Sequence, residues 1–280
     1  MIRIHQLSFG YKKKQKLFEQ LMLKAPEGNI YGLLGKNGAG KTTLLKLITG
    51  LLMPKEGEIE VLSAHPGKRQ VDFLQDVFYI PEEFAAPALS IEQFIRAYAP
   101  FYPKFDSDQF SNYLTEFYIP TGQNMDKMSF GQKKKVMLSF GLASNSRLLI
   151  LDEPTNGLDI PSKGQLRRVL ANSISPERTF FISTHQVRDI ANLIDPVIIL
   201  DSGKVIFHQS MESIMSRLYF SLDSQVENTP EVIHYERLPG GYSVVSKNTG
   251  SNMGTEVDLE VLFNAVMSNE HAFSEIFSKA

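Results

Sequence analysis

Eight residues near the start of the chain, at positions 35–42, are G-K-N-G-A-G-K-T and directly follow the apolar run 30–34. They match the pattern G-x-x-x-x-G-K-T in the strand-then-helix setting that this pattern requires. The glycines let backbone N–H groups turn inward around phosphate oxygens, and the N-terminus of the following helix favours an anion. The sequence therefore predicts a phosphate-binding loop, and its setting disfavours the alternative of a chance glycine-rich turn.

Two side chains of this loop have chemistry of their own. We expect Lys41 to reach the outer phosphates of a nucleotide, and we expect the Thr42 hydroxyl to bind Mg²⁺. The predicted nucleotide contacts of the segment are Gly35, Asn37, Gly38, Ala39, Gly40, Lys41, Thr42 and Thr43.

A second motif places two acids after another apolar run. Residues 148–151 are Leu-Leu-Ile-Leu, and Asp152 and Glu153 follow them. In an open α/β sheet, a buried strand delivers such carboxylates to the edge where the phosphate loop lies. Asp152 suits contact with Mg²⁺, and Glu153 suits a base that polarises an attacking water. An ordinary strand end with solvated acids is the alternative, and the phosphate loop argues against it.

Composition limits the class of protein. The chain has 280 residues, of which 42% are hydrophobic, so it can form one large domain or a main domain with a small one. It has no cysteine, which excludes disulfides and thiolate metal sites, and its net charge of -2 gives no sign of nucleic-acid binding. No apolar stretch approaches the roughly 18–20 residues that cross a bilayer. The first ten residues also lack the apolar segment of a signal peptide. We expect a soluble or membrane-peripheral chain.

Alternating strand and helix patterns predict an α/β fold. A capping box at Ser90 starts a helix within a mostly helical insertion at 82–142. Beyond residue 216, three strand patterns and an amphipathic helix at 257–266 predict a small α+β extension. The predicted division is a main domain at 1–215 and an accessory domain at 216–280. Helical patterns in the main domain include 43–49, 162–171 and 186–193.

Three further motifs resemble those of a known family. Met-Ser-Phe-Gly-Gln at 128–132 precedes the acid pair, Gly157-Leu158-Asp159 follows it, and His185 comes after a later strand pattern. In this order the motifs of residues 1–210 resemble those of ATP-binding cassette (ABC) ATPases, whose signature is usually Leu-Ser-Gly-Gly-Gln. The resemblance implies a P-loop NTPase cassette with an N-terminal antiparallel β subdomain. It also implies that two cassettes close head to tail around ATP and Mg²⁺.

The resemblance assigns some residues to the nucleotide of the partner cassette. Ser129 and the N–H of Gly131 would contact the γ-phosphate of that nucleotide, at the start of a helix that favours an anion. Gln132 belongs to the same signature. Asp159 would couple the two nucleotide sites across the dimer.

Other residues would act within their own cassette. His185 would hold the γ-phosphate or the attacking water, and together with Lys41 and Glu153 it forms the predicted catalytic set. Tyr11 would stack on adenine. An ordinary surface aromatic remains the alternative for Tyr11, and an ordinary histidine at a strand end remains the alternative for His185.

The chain departs from the family pattern at two positions. Phe130 replaces the first glycine of the signature, which we expect to alter the dimer seam without abolishing it. Glu82 stands where the family has the glutamine of the Q-loop. A carboxylate can bind Mg²⁺ but would repel the γ-phosphate, so we expect Glu82 to join Thr42 and Asp152 at the metal. A loop acid that faces solvent is the alternative.

The segments outside the core motifs are similar to those of ABC-2 exporters of the bacteriocin or acetoin type. They favour a motor subunit, paired with a second cassette, on the cytoplasmic face of the cell membrane. A separate permease would then be driven through the region of residues 82–98. A soluble cassette ATPase in a cytosolic complex, for example a translation-associated factor, is the second hypothesis. Factors of that kind, however, usually carry two cassettes. A regulatory module without turnover is the third, and Glu153 and His185 argue against it.

Overall fold

The computed structural model describes residues 1–12, 15–120, 122–226, 229–249 and 256–278. In chain order the strands are β1 (Ile2–Phe9), β2 (Phe18–Ala25), β3 (Ile30–Leu34), β4 (Glu56–Val61), β5 (Val77–Ile80), β6 (Leu148–Asp152), β7 (Thr179–Thr184), β8 (Val197–Asp201), β9 (Lys204–Gln209), β10 (Leu218–Asp223), β11 (Val232–Leu238) and β12 (Gly241–Lys247). The helices are α1 (Lys41–Ile48), α2 (Val71–Gln75), α3 (Ile91–Tyr98), α4 (Ser107–Glu116), α5 (Phe130–Ala143), α6 (Ile160–Asn172), α7 (Met211–Arg217), α8 (Leu259–Ser268) and α9 (Glu270–Ser278).

A six-stranded sheet forms the centre of the molecule, with strand order β5-β6-β7-β3-β8-β9. The strands from β5 to β8 in this order pair in parallel, and β9 pairs antiparallel with β8. Every residue of β3, β6 and β7 is buried, as expected for strands that are covered on both faces. Because β6, β7 and β3 are neighbours, their carboxyl ends bring the loops that follow them to one edge of the sheet.

The predicted N-terminal subdomain is a three-stranded antiparallel sheet with order β2-β1-β4. Side chains from β1, β2 and β4 share an apolar core with α1 and with parts of the central sheet. Strands β1 and β2 pair antiparallel. This sheet therefore covers the helix that follows the phosphate loop.

The helical insertion consists of α3, α4 and α5. The Ser90 hydroxyl caps α3 and the Gln93 side chain accepts from the Ser90 N–H, so the predicted capping box is confirmed. The rings of Phe78, Phe94 and Phe105 all lie against Phe140 of α5, with centroids 4.9–5.6 Å away. This aromatic cluster attaches the insertion to the central sheet.

The C-terminal extension has the predicted α+β character. Strands β10, β12 and β11 form a separate antiparallel sheet, on which α8 packs. The Arg217 guanidinium donates to the Ile276 carbonyl (2.7 Å), and the Phe277 ring contacts Phe207 of the main domain. Helix α7 crosses the predicted boundary at 215/216, and one apolar core runs through both parts. The division at that residue stays a prediction.

The predicted helix at 186–193 is wrong. The structure has two single 3₁₀ turns there, Val187–Asp189 and Ala191–Leu193. The Asp189 carbonyl accepts a hydrogen bond from Arg167 of α6 (2.9 Å), and the Asp189 carboxylate pairs with Lys163 (2.6 Å). These tertiary bonds hold the segment to α6 and replace the intrahelical bonds that the apolar pattern suggested.

Candidate nucleotide-binding site

The loops after β3 and β6 border one cleft of about 530 Å³, and residues 11–12 and 15–17, between β1 and β2, also line it. Lys41 and Glu153 face each other across it, and Glu82 lies at its border. The cleft therefore brings together the phosphate loop, Glu153 of the acid pair and the Q-loop position, which are far apart in sequence. Its lining residues are Tyr11, Lys12, Gln15, Lys16, Leu17, Lys36, Asn37, Gly38, Gly40, Lys41, Thr42, Thr43, Glu82 and Glu153.

Three glycines give the phosphate loop its course. Gly38 and Gly40 have φ of 83° and 109°, a region that residues with a Cβ rarely adopt. A Cβ at Gly40 would also lie 2.9 Å from the Phe18 ring, and one at Gly35 would lie 2.5 Å from the Leu200 carbonyl oxygen. The loop is thus fixed by backbone geometry, and Ala39 is buried beneath it.

Lys41 begins α1 and is buried. Its ammonium group donates to the Gly35 carbonyl (2.8 Å) and lies 3.5 Å from Glu153 Oε1. A phosphate group in the loop would compete with these oxygens for the ammonium group. Lys41 is therefore held where a nucleotide would meet it.

Glu153 is positioned by its neighbours as well as by the end of β6. Its φ is 48°, a left-handed conformation that costs about 1–2 kcal/mol for a residue with a Cβ. His185 Nδ1 lies 2.8 Å from Glu153 Oε1, and the His185 backbone N–H donates to Oε2 (3.3 Å). Glu153 and His185, the predicted catalytic residues that follow β6 and β7, are thus in direct contact.

Asp152 is completely buried at the end of β6. Its carboxylate accepts hydrogen bonds from Ser183 Oγ (2.5 Å) and from the Tyr79 hydroxyl (3.3 Å). Burial, followed by the charge of Asp152, raises the pKa of Tyr79 above its usual value, so the phenol keeps its proton. These donors satisfy a buried charge at the carboxyl end of β6.

Tyr11, between β1 and β2, and Glu82, after β5, also line the cleft. The Tyr11 ring is 66% exposed, lies edge-on to Phe9, and its hydroxyl is 3.0 Å from Thr43 Oγ1. The exposed ring therefore lies at the border of the cleft. Glu82 does not simply face solvent, because its Oε1 accepts a hydrogen bond from the Asn156 side chain (2.8 Å).

The signature and the Asp159 segment border a different cavity of about 550 Å³. Ser129 caps α5 in a capping box with Gln132, and Asp159 caps α6 through the Ser162 N–H (2.9 Å). Hydrogen bonds from Ser162 lower the pKa of the Asp159 carboxyl. Ser129, Gly131, Gln132 and Asp159 all line this cavity, and among the described residues the two cavities share no lining residue.

Comparison with known proteins agrees with this arrangement. A family model described as ABC transporter matches residues 18–156. The SkfA peptide export ATP-binding protein SkfE of Bacillus subtilis (strain 168) is 32% identical over 250 residues, which are 87% of this chain and 98% of that protein. The chain belongs to the ABC transporter family. As an ABC ATPase, it binds ATP and hydrolyses it to drive transport.

Further relatives of this ABC subunit agree. The bacitracin transport ATP-binding protein BcrA of Bacillus licheniformis is 31% identical over 75% of this chain and 72% of that protein. A solved ATP-binding subunit of an ABC transporter superposes with a TM-score of 0.69 at 26% identity, over 76% of this chain and 91% of the other. The dimeric post-hydrolysis cassette MJ0796, bound to ADP and Pi, shares the fold with a TM-score of 0.66 at 20% identity, over 75% and 99%.

The fold of an ABC cassette, expected from the motifs, is confirmed by these structures. Within the described part of the chain, no helix combines the length and the apolar character needed to cross a bilayer.

Four residues at the ABC site were not singled out from the sequence. Ser183 and Tyr79 hold Asp152, whereas Asn156 and Lys134 hold the turn after Glu153. Ser183 had a visible signal, since it is a polar residue directly after the apolar run 180–182. Lys134 had none, because it lies among three consecutive lysines that are typical of a solvated helix face.

The residues of the ABC site fit Mg²⁺ bound together with phosphates. Mg²⁺ usually takes one or two carboxylates, substrate phosphates and water, and does not need a cage of protein ligands. The described residues hold no group of three or more His, Cys, Asp or Glu side chains that could bind a metal by themselves. Thr42 and Glu82 supply a hydroxyl and a carboxylate at the cleft, and Asp152 has a second carboxylate at the end of β6, which is the kind of partial set that ATP would complete.

Tyr11 offers a direct test of the adenine contact. We expect Tyr11→Ala to raise the Kd for ATP roughly 5-fold or more, because stacking contributes about 1–3 kcal/mol per base. Tyr11→Phe keeps the ring and loses only the bond to Thr43, so its Kd should stay near that of the wild type. Fluorescent ATP-analogue titration measures both, and equal affinities for the alanine and phenylalanine variants would remove Tyr11 from the base site.

Proposed function

We propose that two cassettes, of which this chain is one, enclose two molecules of Mg²⁺·ATP on the cytoplasmic face of the membrane and drive a separate permease that exports its substrate. Each nucleotide would lie between the phosphate-loop cleft of one cassette and the signature cavity of the other. The observation that carries this proposal is the separation of the ATP motifs into two cavities without common lining residues. Because the two sets of motifs line separate cavities, a second cassette would supply the other half of each site.

Within its own site, the chain would hold and activate the reactants as follows. Lys41 would exchange its contact with Glu153 for the outer phosphates. Glu153, freed from the ammonium group, would accept a proton from the attacking water, and His185 would orient the Glu153 carboxylate through its Nδ1–H. Thr42, Asp152 and Glu82 would hold Mg²⁺, which supplies charge neutralisation at the phosphates when it is bound.

Two relatives support export through a separate permease. Their names describe ATP-binding proteins of peptide export and of bacitracin transport. The helical insertion supplies a surface for a permease next to the site, since Glu82 and the exposed Tyr98 and Phe101 lie on the same connection between β5 and α4. A conformational change of the permease at this surface would be transmitted to the nucleotide through Glu82.

Cell fractionation tests the permease and the location. We expect the tagged chain to pellet with membranes in its native host and to crosslink to one integral membrane protein. The identity of that protein would narrow the substrate. A fully soluble pool with undiminished ATPase activity and no membrane partner would overturn the proposal, and would favour a soluble complex.

Glu82 gives a separate prediction for the metal. Because Glu82→Gln removes a negative charge at the proposed metal site, the Mg²⁺ concentration for half-maximal hydrolysis should rise by about 10-fold. Glu83→Gln is the matched control, because Glu83 is the exposed neighbour of Glu82. Steady-state ATPase assays across a Mg²⁺ titration compare the two. Identical curves for both variants would make Glu82 a bystander.

A further inference from the structure

A lysine that the proposed mechanism does not use lies directly beneath the catalytic turn. Lys134, in the second turn of α5, has no exposed surface. Its ammonium group donates to the Glu153 carbonyl (2.6 Å) and to the Asn156 carbonyl (3.0 Å). Among the described residues, no ion pair to a carboxylate accompanies these bonds. Burying a charge without a paired carboxylate costs free energy. We therefore expect the two hydrogen bonds to carbonyls to have a role in the local structure.

The two carbonyls belong to the tight turn 153–156, which sets the direction of the Glu153 side chain. The Asn156 N–H donates to the Glu153 carbonyl (3.2 Å), and Glu153 has the left-handed φ of 48°. Such a conformation persists only where surrounding bonds hold it. The Lys134 ammonium group donates two of those bonds. The Ser183 carbonyl and hydroxyl oxygens accept others from the Glu153 N–H.

We propose that, with Glu153 as the base proposed above, Lys134 is a positioning residue for ATP hydrolysis, because its ammonium group clamps the 153–156 turn and so fixes the Glu153 carboxylate at the attacking water. Burial lowers the pKa of Lys134 to about 8, and the charges of Glu82, Glu153 and Asp152 oppose this shift. The side chain is still an ammonium group at neutral pH, with the donors that the clamp needs.

The same lysine also contacts the signature. Its Nζ lies 5.5 Å from the centroid of the Phe130 ring, and that ring covers Gly157 so closely that a Cβ there would lie 2.7 Å from it. Phe130, which departs from the family signature, is therefore packed within its own chain against Lys134 and Gly157. A shift of α5 when Ser129 meets the partner's nucleotide would thus move the turn that carries Glu153.

Lys134→Met tests the clamp. Methionine has a similar length and is apolar, so it suits the buried position, but it cannot donate to the two carbonyls. We expect kcat for ATP hydrolysis to fall by about 10-fold or more, since small misplacements of reacting groups are costly, while the Kd for ATP stays within about 2-fold. A merely structural lysine would lower the amount of folded protein and leave kcat per folded molecule unchanged.

Arg178→Met is the matched control. Arg178 is also a buried cation, it donates to the carbonyls of Ser146 (3.3 Å) and Leu142 (3.1 Å), and it lies over the Phe180 ring. These contacts lie at the other end of α5. Its loss should lower the melting temperature without changing kcat per folded molecule. A kcat for Lys134→Met equal to that of Arg178→Met would overturn the proposal.

Two further variants cover the remaining outcomes. Lys134→Gln keeps a neutral donor of shorter reach, so kcat should fall by about 3-fold or more even if the methionine variant does not fold, and an unchanged kcat would contradict the clamp. Glu153→Gln separates the two proposals. If that variant keeps full turnover, the role of Glu153 as base fails. If it is inactive while both Lys134 variants turn over normally, only the clamp fails.

Discussion

Replacing Glu153 by Gln should lower ATP turnover by at least about 100-fold, because the amide cannot accept the proton of the attacking water. The amide has the same size and can still accept the hydrogen bond from His185. Lys41 loses a competing carboxylate at 3.5 Å, so ATP binding should persist or strengthen. Single-turnover phosphate release measures the chemical step, and titration with ATP measures the affinity.

The same variant should also accumulate the ATP-bound pair of cassettes, since closure would no longer end in hydrolysis. Size-exclusion chromatography with and without Mg²⁺·ATP would detect that pair. Glu177→Gln is the control, because Glu177 is exposed and lies in the turn before β7, away from the cleft. Turnover of Glu153→Gln at the level of this control would remove Glu153 from the chemistry.

Gly131→Glu should abolish turnover just as strongly while each subunit still binds ATP. A Cβ at Gly131 would already lie 3.0 Å from the Gly157 carbonyl oxygen, and a carboxylate in the signature cavity would repel the γ-phosphate of the partner's nucleotide. The phosphate-loop cleft is untouched, since Gly131 does not border it. We expect a loss of at least about 100-fold in turnover, the size seen when charge stabilisation in a transition state is removed, with the Kd of the isolated subunit unchanged.

Gly67→Glu is the matched control for this substitution. Among the described residues, a Cβ at Gly67 meets only the Met53 side chain at 3.8 Å, and Gly67 lies in a short turn after β4, outside both nucleotide cavities. The control should keep its turnover. If Gly131→Glu also kept its turnover, or if it lost ATP binding in the isolated subunit, the two-cassette arrangement would be wrong.

Short motifs made much of the site predictable, because their function requires fixed residue types at fixed spacing. The phosphate loop needs glycines for its backbone and Lys41 for charge, and Gly38 and Gly40 indeed have positive φ. The strand before it and the helix after it follow from the same requirement. The apolar run before Asp152 likewise predicted a buried strand that ends in acids, and β6 has this form.

Periodicity was less reliable where tertiary bonds compete with local ones. The segment 186–193 has a helical apolar pattern, yet Arg167 and Lys163 of α6 bind Asp189 and restrict it to two 3₁₀ turns. The lysine run after the signature is typical of a solvated helix face, but helical geometry turns the middle lysine, Lys134, into the core.

The sequence by itself determined the α/β class and the ABC family, and it indicated the residues proposed to carry the ATP chemistry, since each depends on a local pattern. Only the tertiary structure decided which of these residues meet. The strand order β6-β7-β3 brings Glu153, His185 and Lys41 together, whereas the signature cavity stays apart from their cleft. Lys134 contacts Glu153 over 19 positions of sequence, and Ser183 contacts Asp152 over 31. No local pattern specifies these contacts, because the packing of strands and helices sets the partners.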